Sequence, residues 1–433
     1  MTITIIGHGY VGLVTACVFA DFGNDVWVIG HTKKKINRLK KGNPIIYEPG
    51  LDELLKKNLK SGRIHFTLDY QSVSQSEIVF ITVGTPPKEN GEADLSAVFK
   101  VARNIAKNLS SNKNHFTVIS CKSTVPVGTN KKVETILKKH SSKNSNFAIA
   151  SCPEFLREGT GIYDTLNADR VVIGSQSKKA IDLLLKLHQP INCKKIITDL
   201  SSAELIKYVS NAMLATKISF ANLISFYAER VGADVEAVLN AVGLDKRIGR
   251  VFMNPGVGYG GSCLPKDVMA LIDTGKKLNI DSNFLIEVEK INQLAKENFL
   301  KKILKYSPGK NVAIWGLAFK PNTDDIRFAP SIFIIKELLK TGFQISVYDQ
   351  EATINIKKIF NNQINYFNNP YQTIENKDSL IILTEWNEFK QINLEKVKKL
   401  LKQPFIFDGR NIYQPEVMKK LGFKYFSVGR NHI

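Results

Sequence analysis

An apolar run followed by a glycine-rich turn opens the chain and limits what it can fold into. Residues 2–6 are typical of a buried strand, residues 7–12 follow the pattern G-x-G-x-x-G, and residues 11–22 have helical spacing. Strand and helix patterns alternate to about residue 198 and again from residue 311. Such alternation indicates parallel sheets covered by helices on both faces. We therefore predict an α/β protein with two doubly wound, Rossmann-like domains.

The three glycines of the first turn suit a nucleotide-binding loop. Gly7 permits the tight turn, Gly9 leaves room for a pyrophosphate beside the backbone, and Gly12 lets the helix pack on the strand. The helix N-terminus then presents its partial positive charge to the phosphates. We predict that residues 7–12, including Tyr10, bind a dinucleotide.

The end of the second predicted strand lacks the acidic residue that usually binds the adenosine ribose. Gly30 stands in its place, and Lys33, Lys34 and Lys35 follow shortly after it. A site with cations and no carboxylate can accept a 2′-phosphate. We expect NAD as the cofactor, with NADP tolerated or even preferred. In the alternative interpretation the lysines face solvent and NAD binds somewhat more weakly.

A long helix is predicted in the middle of the chain. Residues 201–230 contain neither proline nor glycine and carry apolar side chains at helical spacing. At about 1.5 Å per residue such a helix runs roughly 45 Å, enough to join two domains or to pair with a second subunit. We predict a dinucleotide-binding domain at 1–198, a central helical dimerisation region at 199–305 and a Rossmann-like domain at 306–433. Residues 361–369 have the composition of a surface loop.

A cysteine in a second glycine-rich segment is the strongest candidate for covalent chemistry. Cys263 follows residues 258–262, which hold three glycines, and precedes Lys266 and Asp267. Glycines leave no side-chain wall beside a thiol, so a substrate can approach it closely. A nearby lysine favours the reactive thiolate. An isolated cysteine is more often an inert core residue, but its neighbours and the dinucleotide turn favour a dehydrogenase with a thiol step.

Composition argues against several other classes of protein. The net charge is +20, but the lysines lie mostly in helical, solvent-facing stretches without interleaved aromatic residues, so we expect no nucleic-acid partner. The five cysteines form no CxxC pair, so we expect neither a metal site nor a disulfide framework. No run approaches the roughly 20 apolar residues of a membrane span, and the strand at residue 2 leaves no room for a signal peptide. We expect a cytoplasmic protein without a membrane partner.

Taken together, the motifs resemble those of the nucleotide-sugar dehydrogenases, the UDP-glucose/GDP-mannose dehydrogenase family, nearly from end to end. Besides the first turn and the cysteine loop, the matching blocks are residues 44–51, 83–86, 123–129, 153–159, 204–212, 247–249, 316–327 and 408–411. The resemblance implies that the C6 alcohol of UDP-glucose becomes a carboxylate at the expense of two NAD. It also implies that the C-terminal domain binds the UDP-sugar.

The resemblance assigns the central chemistry to three residues. Cys263 would hold the substrate first as a thiohemiacetal and then as a thioester, so that the aldehyde does not escape. Lys207 and Asn211 lie four residues apart, on one face of the long helix. They would assist proton removal and stabilise the oxyanion, the lysine by charge and the asparagine by hydrogen bonding.

Further catalytic and binding residues follow from the same resemblance. Glu154 would activate the hydrolytic water, and Thr124 and Asp267 would hold water near the reacting carbon; simple ion pairing is the alternative role for Glu154. The implied cofactor contacts are Val11, Gly30, Lys35, Thr85, Thr124, Glu158, Lys266 and Arg327. The implied substrate contacts are Glu154, Phe155, Leu156, Arg157, Glu158, Lys207, Asn211, Arg247, Phe252, Met253, Asn254, Pro255, Gly256, Gly260, Lys320 and Arg410.

Two alternatives to UDP-glucose oxidation stay open. Within the family, GDP-mannose is the other substrate, and residues 159–161 are compatible with it, whereas the blocks at 247–249 and 408–411 favour UDP-glucose. From a different class, the missing acid at Gly30 suggests a non-catalytic nucleotide-sugar sensor. Arg247 matches a family residue that reaches the substrate from a neighbouring subunit, so we expect a homodimer or a higher homo-oligomer.

Overall fold

The computed structural model describes residues 1–430, which divide into two compact units. The first unit comprises Met1–Ser210 and Met269–Thr274. The second comprises Asn211–Val268 and the described residues from Gly275 onwards. The domain boundaries expected near residues 198 and 305 stay a prediction.

The first unit is built on an eight-stranded sheet. Its strands are β1 (Thr2–Ile6), β2 (Asp25–Ile29), β3 (Ile64–Thr67), β4 (Ile78–Ile81), β5 (Phe116–Cys121), β6 (Asn146–Ser151), β7 (Arg170–Gly174) and β8 (Lys194–Thr198). The helices that begin in it are α1 (Tyr10–Asp21), α2 (Lys33–Lys40), α3 (Leu51–Lys60), α4 (Ser96–Asn108), α5 (Thr129–His140), α6 (Gly161–Leu166), α7 (Lys178–Leu187) and α8 (Leu200–Val231).

The strand order of this sheet is that of a dinucleotide-binding fold. The order is β3-β2-β1-β4-β5-β6-β7-β8, and β1 to β6 are all parallel to one another, as β7 is to β8. A single antiparallel bridge between Ser151 and Gly174 then joins β6 to β7. Because the winding direction reverses between β1 and β4, the turns that follow these two strands open onto one crevice, where such folds bind ligands.

The second unit repeats this architecture on a smaller scale. Its strands are β9 (Asn311–Trp315), β10 (Gln344–Tyr348), β11 (Asn365–Tyr366), β12 (Ser379–Ile382), β13 (Phe405–Asp408) and β14 (Lys424–Phe426). Its helices are α9 (Val235–Gly243), α10 (Leu264–Lys277), α11 (Asn283–Tyr306), α12 (Pro330–Lys340), α13 (Thr353–Phe360), α14 (Pro370–Ile374), α15 (Asn387–Lys390), α16 (Leu394–Leu400) and α17 (Pro415–Lys420). The sheet order is β11-β10-β9-β12-β13-β14, parallel throughout.

The predicted fold class is confirmed, with four differences in detail. The long helix α8 spans 32 residues and links two parallel sheets of the Rossmann type. The sequence patterns missed β8, whose residues are mostly exposed, and the short strands β3 and β14, which are four and three residues long. The surface loop expected at 361–369 is wrong in part, because β11 lies within it and pairs with β10 at the sheet edge.

The turn after β9 differs from its counterpart in the first unit. Asp349 follows β10 directly, as Gly30 follows β2. The Asp349 side chain is buried, and its Oδ2 accepts hydrogen bonds from the N–H groups of Leu317 (2.6 Å) and Ala318 (3.1 Å). A carboxylate of the protein itself therefore occupies the backbone donors of this turn.

Candidate active site

The turn between β1 and α1 has the shape that a dinucleotide pyrophosphate requires. A Cβ on Gly7 would lie 2.6 Å from the carbonyl oxygen of Thr82, and one on Gly12 would lie 2.1 Å from that of Gly7. Only glycine fits at these two positions. Gly9 is exposed, and a Cβ on it would have no described atom within 4 Å, so open space lies beside the start of α1. These residues fit the cofactor, because its phosphates can approach the backbone there.

Two loops at the same sheet edge add further predicted cofactor residues. Thr85 follows β4 and Thr124 follows β5. The Thr85 side chain is buried, and its hydroxyl donates to the carbonyl oxygen of Thr124 at 2.9 Å. Gly84 is exposed, with no described atom within 4 Å of a Cβ placed on it. The structure therefore brings Thr85 and Thr124 together beside an open stretch of backbone.

An acidic side chain at the end of β2 would require the neighbouring side chains to move. A Cβ on Gly30 would lie 2.5 Å from Cδ1 of Ile36 and 3.1 Å from Nδ1 of His8. The three lysines that follow, including Lys35, are exposed at the start of α2. Positive side chains at a helix N-terminus oppose the helix dipole, and a bound anion relieves that opposition.

Glu154 and Lys207 form a buried ion pair in the first unit. Lys207 Nζ lies 3.1 Å from Oε1 of Glu154, and the two side chains are 4% and 6% exposed. The other carboxylate oxygen of Glu154 accepts the N–H of Leu156 at 2.8 Å. Lys207 also lies over the Phe155 ring, 5.4 Å from its centroid. Each charge is thus compensated in place, as burial requires.

Glu204 fixes the first turns of α8, which carry Lys207. Its carboxylate accepts the N–H groups of Gly128 (2.6 Å) and Asn130 (2.7 Å) and the side-chain amide of Asn130 (2.7 Å). These donors lie at the N-terminus of α5, where a carboxylate is favoured by the helix dipole. The bonds hold the first turn of α8 against α5, one turn before Lys207.

The segment 154–159 is held by a residue whose role sequence reasoning missed. Glu48 accepts the N–H of Gly159 through one carboxylate oxygen (2.7 Å) and the N–H of Ile162 through the other (3.1 Å). Tyr10, predicted to bind the cofactor, also accepts the N–H of Gly159, at 2.5 Å. Glu158 is buried in this segment. Glu48 lies in the block at residues 44–51 that resembles the family, but the sequence pattern there indicated no role for its side chain.

Arg157 is engaged by a neighbour within the first unit. Its guanidinium makes two hydrogen bonds to the Asp164 carboxylate, from Nε at 3.0 Å and from Nη2 at 2.6 Å. These hydrogen bonds raise the pKa of Arg157 above its usual value. The side chain is nevertheless about half exposed, so its outer face is open to a ligand.

Cys263 stands immediately before α10, which begins at Leu264. Its carbonyl oxygen accepts the first helical bond, from the N–H of Asp267 at 2.9 Å, and its Sγ lies 3.6 Å from the hydroxyl of Ser262. The residue is partly exposed, whereas Cys17, Cys121 and Cys152 are buried. A thiol at a helix N-terminus is placed where a negative charge is favoured.

Asp267 joins the predicted catalytic residue Asn211 to the predicted cofactor contact Lys266 in the second unit. Its Oδ2 accepts the side-chain amide of Asn211 at 2.5 Å, and its Oδ1 accepts Lys266 Nζ, also at 2.5 Å. Asp267 is 1% exposed. The positive charge of Lys266, expected to favour the thiolate, is therefore paired directly with this carboxylate.

Helix α11 holds the glycine loop that leads to the thiol. The side chain of Asn292 accepts the N–H of Tyr259 at 2.8 Å and donates to the carbonyl oxygen of Tyr259 at 3.2 Å. The Tyr259 hydroxyl donates to Glu289, and burial raises the pKa values of both groups. A Cβ on Gly258 would lie 2.8 Å from the Asn292 amide oxygen. Neither Asn292 nor Glu289 was identified from the sequence.

The opposite side of the same loop packs against the segment that precedes α12. Gly261 donates its N–H to the carbonyl oxygen of Arg327 at 2.8 Å, and a Cβ on it would lie 2.6 Å from the Phe319 ring. A Cβ on Gly260 would lie 2.3 Å from the carbonyl oxygen of Phe328. The glycines therefore serve close backbone packing, and the loop is fixed from two sides.

The predicted substrate loop at 252–256 is tightly organised. Phe252 has a φ of 64°, Met253 and Pro255 are buried, and Asn254 is exposed. Arg250 ties the loop together, because its Nη1 donates to the Met253 carbonyl (2.6 Å) and to the Asn254 side chain (2.7 Å). The fifth residue, Gly256, has no room for a side chain, because its Cβ would lie 2.8 Å from the Gly409 carbonyl oxygen.

The predicted cations of the second unit have different surroundings. Arg410 donates to the carbonyl oxygens of Leu383 (2.9 Å), Gly258 (3.2 Å) and Phe319 (3.4 Å). Lys320 lies over the Phe319 ring, 5.7 Å from its centroid. Arg327 and Arg247 each pair with an aspartate two residues earlier, and the Arg247 side chain is 89% exposed.

Neither a cluster of metal ligands nor a membrane-spanning helix is present among the described residues. Residues 1–430 contain no group of three or more histidine, cysteine or carboxylate side chains that could hold a metal ion. No helix within the same residues is long and apolar enough to cross a membrane.

Family models match the chain in three consecutive parts. They describe the UDP-glucose/GDP-mannose dehydrogenase family: its NAD binding domain at residues 1–192, its central domain at 201–294 and its UDP binding domain at 313–415. Together these matches include the dinucleotide turn, the cysteine loop and most of the second parallel sheet.

Individual relatives extend the similarity over the whole length. The chain is 45% identical to UDP-glucose 6-dehydrogenase TuaD of Bacillus subtilis (strain 168), across 99% of this chain and 93% of that protein. It is 41% identical to UDP-glucose 6-dehydrogenase of Rhizobium meliloti (strain 1021), across 99% and 100%. Among solved structures, a UDP-glucose dehydrogenase from the archaeon Pyrobaculum islandicum superposes with a TM-score of 0.91 at 34% identity, across 99% and 98%.

Proposed function

Because the chain belongs to the UDP-glucose/GDP-mannose dehydrogenase family, we propose that it oxidises UDP-glucose to UDP-glucuronate, with NAD as its cofactor. The observation that carries the proposal is the full-length similarity to UDP-glucose 6-dehydrogenases in a chain that retains both the dinucleotide turn and Cys263. Conversion of an alcohol to a carboxylate removes four electrons, so each substrate requires two NAD.

Cys263 carries the substrate between the two oxidations in this mechanism. NAD, when bound, accepts one hydride in each oxidation. The first oxidation turns the C6 alcohol into an aldehyde. The Cys263 sulfur then bonds to the aldehyde carbon while the oxygen takes up a proton, which gives a thiohemiacetal. The second oxidation gives a thioester, and attack by water releases the carboxylate and restores the thiol. The helix N-terminus after Cys263 favours the thiolate that starts the sequence.

The buried Glu154–Lys207 pair supplies both a base and a positive charge. Lys207 assists removal of the alcohol proton and stabilises negative charge on the oxygen. Glu154 takes the proton of the attacking water in the last step. Their contact of 3.1 Å supports this division, because the lysine charge compensates Glu154 whenever it is ionised.

Asn211, Asp267 and Thr124 position the reacting groups. Asn211 donates to Asp267, and this bond orients the amide so that its remaining N–H can reach the substrate oxygen. Asp267 and Thr124 hold water for hydrolysis. Because Lys207 and Asn211 are four residues apart in the continuous helix α8, both side chains project from one face.

Substrate binding is assigned to the loops already described. Residues 154–158, the loop 252–256 and Gly260 contact the sugar nucleotide, and Lys320, Arg410 and Arg247 neutralise the diphosphate or contact the sugar. Lys35, Glu158, Lys266 and Arg327 contact the cofactor. The restrained backbone at Phe252 and Gly256 supports the assignment, since a rigid loop binds with less loss of entropy.

NADP is accepted alongside NAD in this proposal. The absence of a carboxylate at Gly30 removes the group that repels a 2′-phosphate, and the exposed lysines of α2 attract one. The test compares kcat/KM for the two cofactors before and after Lys33→Ala and Lys34→Ala. A loss confined to NADP supports the proposal, and an equal loss with both cofactors contradicts it.

We also propose a cytoplasmic homodimer that forms through α8. Three apolar side chains follow one another on this helix at intervals of seven residues. They are Met213, Phe220 and Tyr227, which are 58%, 47% and 63% exposed. Such an apolar row on a long helix is typical of a subunit interface. The exposed Arg247 then becomes available to the partner's substrate. Molar mass in solution, measured by light scattering, tests this; a monomer would contradict it.

Product stoichiometry tests the function itself. Two reduced cofactors per UDP-glucose consumed support the thiol mechanism, and one per substrate shows that the thioester stage is not reached. Faster turnover of GDP-mannose identifies the other family substrate. The absence of turnover with either sugar nucleotide favours a non-catalytic sensor. A Cys263→Ser variant is the matched control, because it keeps the loop and removes the thiol.

A further inference from the structure

His8 is a buried polar side chain within the dinucleotide turn. It lies between Gly7 and Gly9 and is 4% exposed. Among the described residues, no hydrogen-bond partner is found for either of its ring nitrogens. Buried polar groups are usually satisfied, so an unpaired imidazole beside a nucleotide-binding turn indicates a ligand that completes it.

The His8 ring lies next to residue 30, the position at which dinucleotide-binding folds usually have an acidic residue. The Cβ of any side chain at residue 30 would lie 3.1 Å from His8 Nδ1 and 2.5 Å from Cδ1 of Ile36. The space beside the end of β2 is therefore filled by the end of the Ile36 side chain and bordered by an imidazole. In dinucleotide folds this is where the adenosine ribose is recognised.

The charge state of His8 selects the kind of ligand. Burial and the nearby charges of His31 and Lys35 lower the pKa of His8 to about 4. The ring is therefore neutral at pH 7, with one nitrogen as a donor and the other as an acceptor. A hydroxyl group both donates and accepts, so it can bond to either nitrogen of a neutral ring. A phosphate offers only acceptors near neutral pH, so it can bond only to the one nitrogen that carries a proton, and it forms no ion pair with a neutral ring.

We propose that His8 recognises the 2′-hydroxyl of the adenosine ribose, in place of the acid missing at Gly30. This inference rests on the NAD use proposed above. His31 is exposed and packs edge-on against His8, with ring centroids 4.8 Å apart. The His31 ring turns aside when the ribose enters, and His8 then gains its hydrogen-bond partner.

Calorimetric binding of NAD, and of its analogue that lacks the adenosine 2′-hydroxyl, tests the proposal. The full-length protein should bind NAD about tenfold more tightly than the analogue, the usual worth of one hydrogen bond. His8→Phe should bind the two ligands with equal, weaker affinity. His31→Ala, the matched control, should keep the preference. Equal affinity in the unaltered protein, or a preference that persists in His8→Phe, would overturn the role of His8.

A measurement without substitution at His8 covers the case in which that variant fails to fold. In protein labelled with ¹⁵N-histidine, NAD should shift the His8 ring nitrogens and the analogue should leave them nearly unchanged; equal shifts would overturn the proposal. NADP binding tenfold tighter than NAD would also overturn it, in favour of a 2′-phosphate ligand. NAD binding that ignores the 2′-hydroxyl refutes only the role of His8, whereas no NAD binding refutes the dehydrogenase function as well.

Discussion

Replacement of Asn292 by alanine should lower turnover far more than it weakens NAD binding. The Asn292 side chain is 2% exposed and makes two hydrogen bonds to the backbone of Tyr259, of 2.8 and 3.2 Å. Alanine leaves the N–H and the carbonyl of Tyr259 buried without these partners. Each unsatisfied group costs about 1–3 kcal/mol, so the loop loses roughly 2–6 kcal/mol of stabilisation unless water replaces the amide.

The loss falls on the segment that positions the thiol. Tyr259 is four residues before Cys263, and the loop between them is closely packed at Gly260 and Gly261. A shift of about 1 Å at a reacting group costs on the order of 10²-fold in rate. We therefore expect kcat to fall about 100-fold. The Kd of NAD should change much less than kcat, because most of the proposed cofactor contacts, including the dinucleotide turn, belong to the first unit.

Leu338→Ala is the matched control for a general loss of stability. Leu338 lies in α12 and is fully buried in the core of the second sheet. Its replacement by alanine should lower the free energy of unfolding by about 2–5 kcal/mol. Both variants should lower Tm, but only Asn292→Ala should lower kcat measured well below Tm. Unchanged kcat in Asn292→Ala, or an equal loss in Leu338→Ala, would refute the positioning argument. Asn292→Asp, which keeps the acceptor and removes the donor, should have an intermediate kcat.

Three further outcomes are expected. Glu154→Gln should slow hydrolysis about 10²–10³-fold and leave a covalent adduct on Cys263, detectable by mass spectrometry; an adduct-free enzyme would contradict the role of Glu154. Gly12→Ala should abolish NAD binding or folding, since its Cβ would lie 2.1 Å from a carbonyl oxygen; calorimetry showing normal affinity would contradict this. Burial lowers the pKa values of His8 to about 4 and His188 to about 3. The unfolded chain protonates these two histidines below about pH 6.5, whereas the folded chain resists protonation until the pH is lower. The free energy of unfolding therefore falls by about 3 kcal/mol for each histidine between pH 6.5 and pH 4. Urea unfolding at pH 7 and pH 4 measures it, and His188→Phe should reduce the difference.

Most of the fold could be predicted from local sequence patterns, because a buried parallel strand or a glycine turn is marked by residues that are adjacent in the sequence. The strand, turn and helix of residues 2–21 and the helix α8 needed no long-range information. In contrast, β8 is an exposed strand with lysines, and β11 is a two-residue strand, so neither has the apolar run that marks a buried strand. Both form because the backbone of a neighbouring strand, β7 or β10, provides hydrogen-bond partners at the edge of the sheet.

The residues of the candidate site likewise fall into those that local sequence could indicate and those that it could not. Cys263 and the glycines of the turn at 7–12 are marked by their immediate neighbours. Glu48 and Asn292 act through bonds to backbone groups 111 and 33 residues away, which a pattern of neighbours cannot indicate. The pairing of Lys266 with Asp267 likewise required coordinates, because the sequence alone placed its charge near the thiol.

Asp349 has a consequence for how many dinucleotides one chain can bind. It stands where the first sheet has Gly30, yet its carboxylate is turned inward onto the N–H groups of Leu317 and Ala318. A carboxylate that belongs to the chain competes with any phosphate for those donors and cannot diffuse away. The repeated fold is thereby kept from acting as a rival cofactor site, and titration with NAD should saturate at one equivalent per chain.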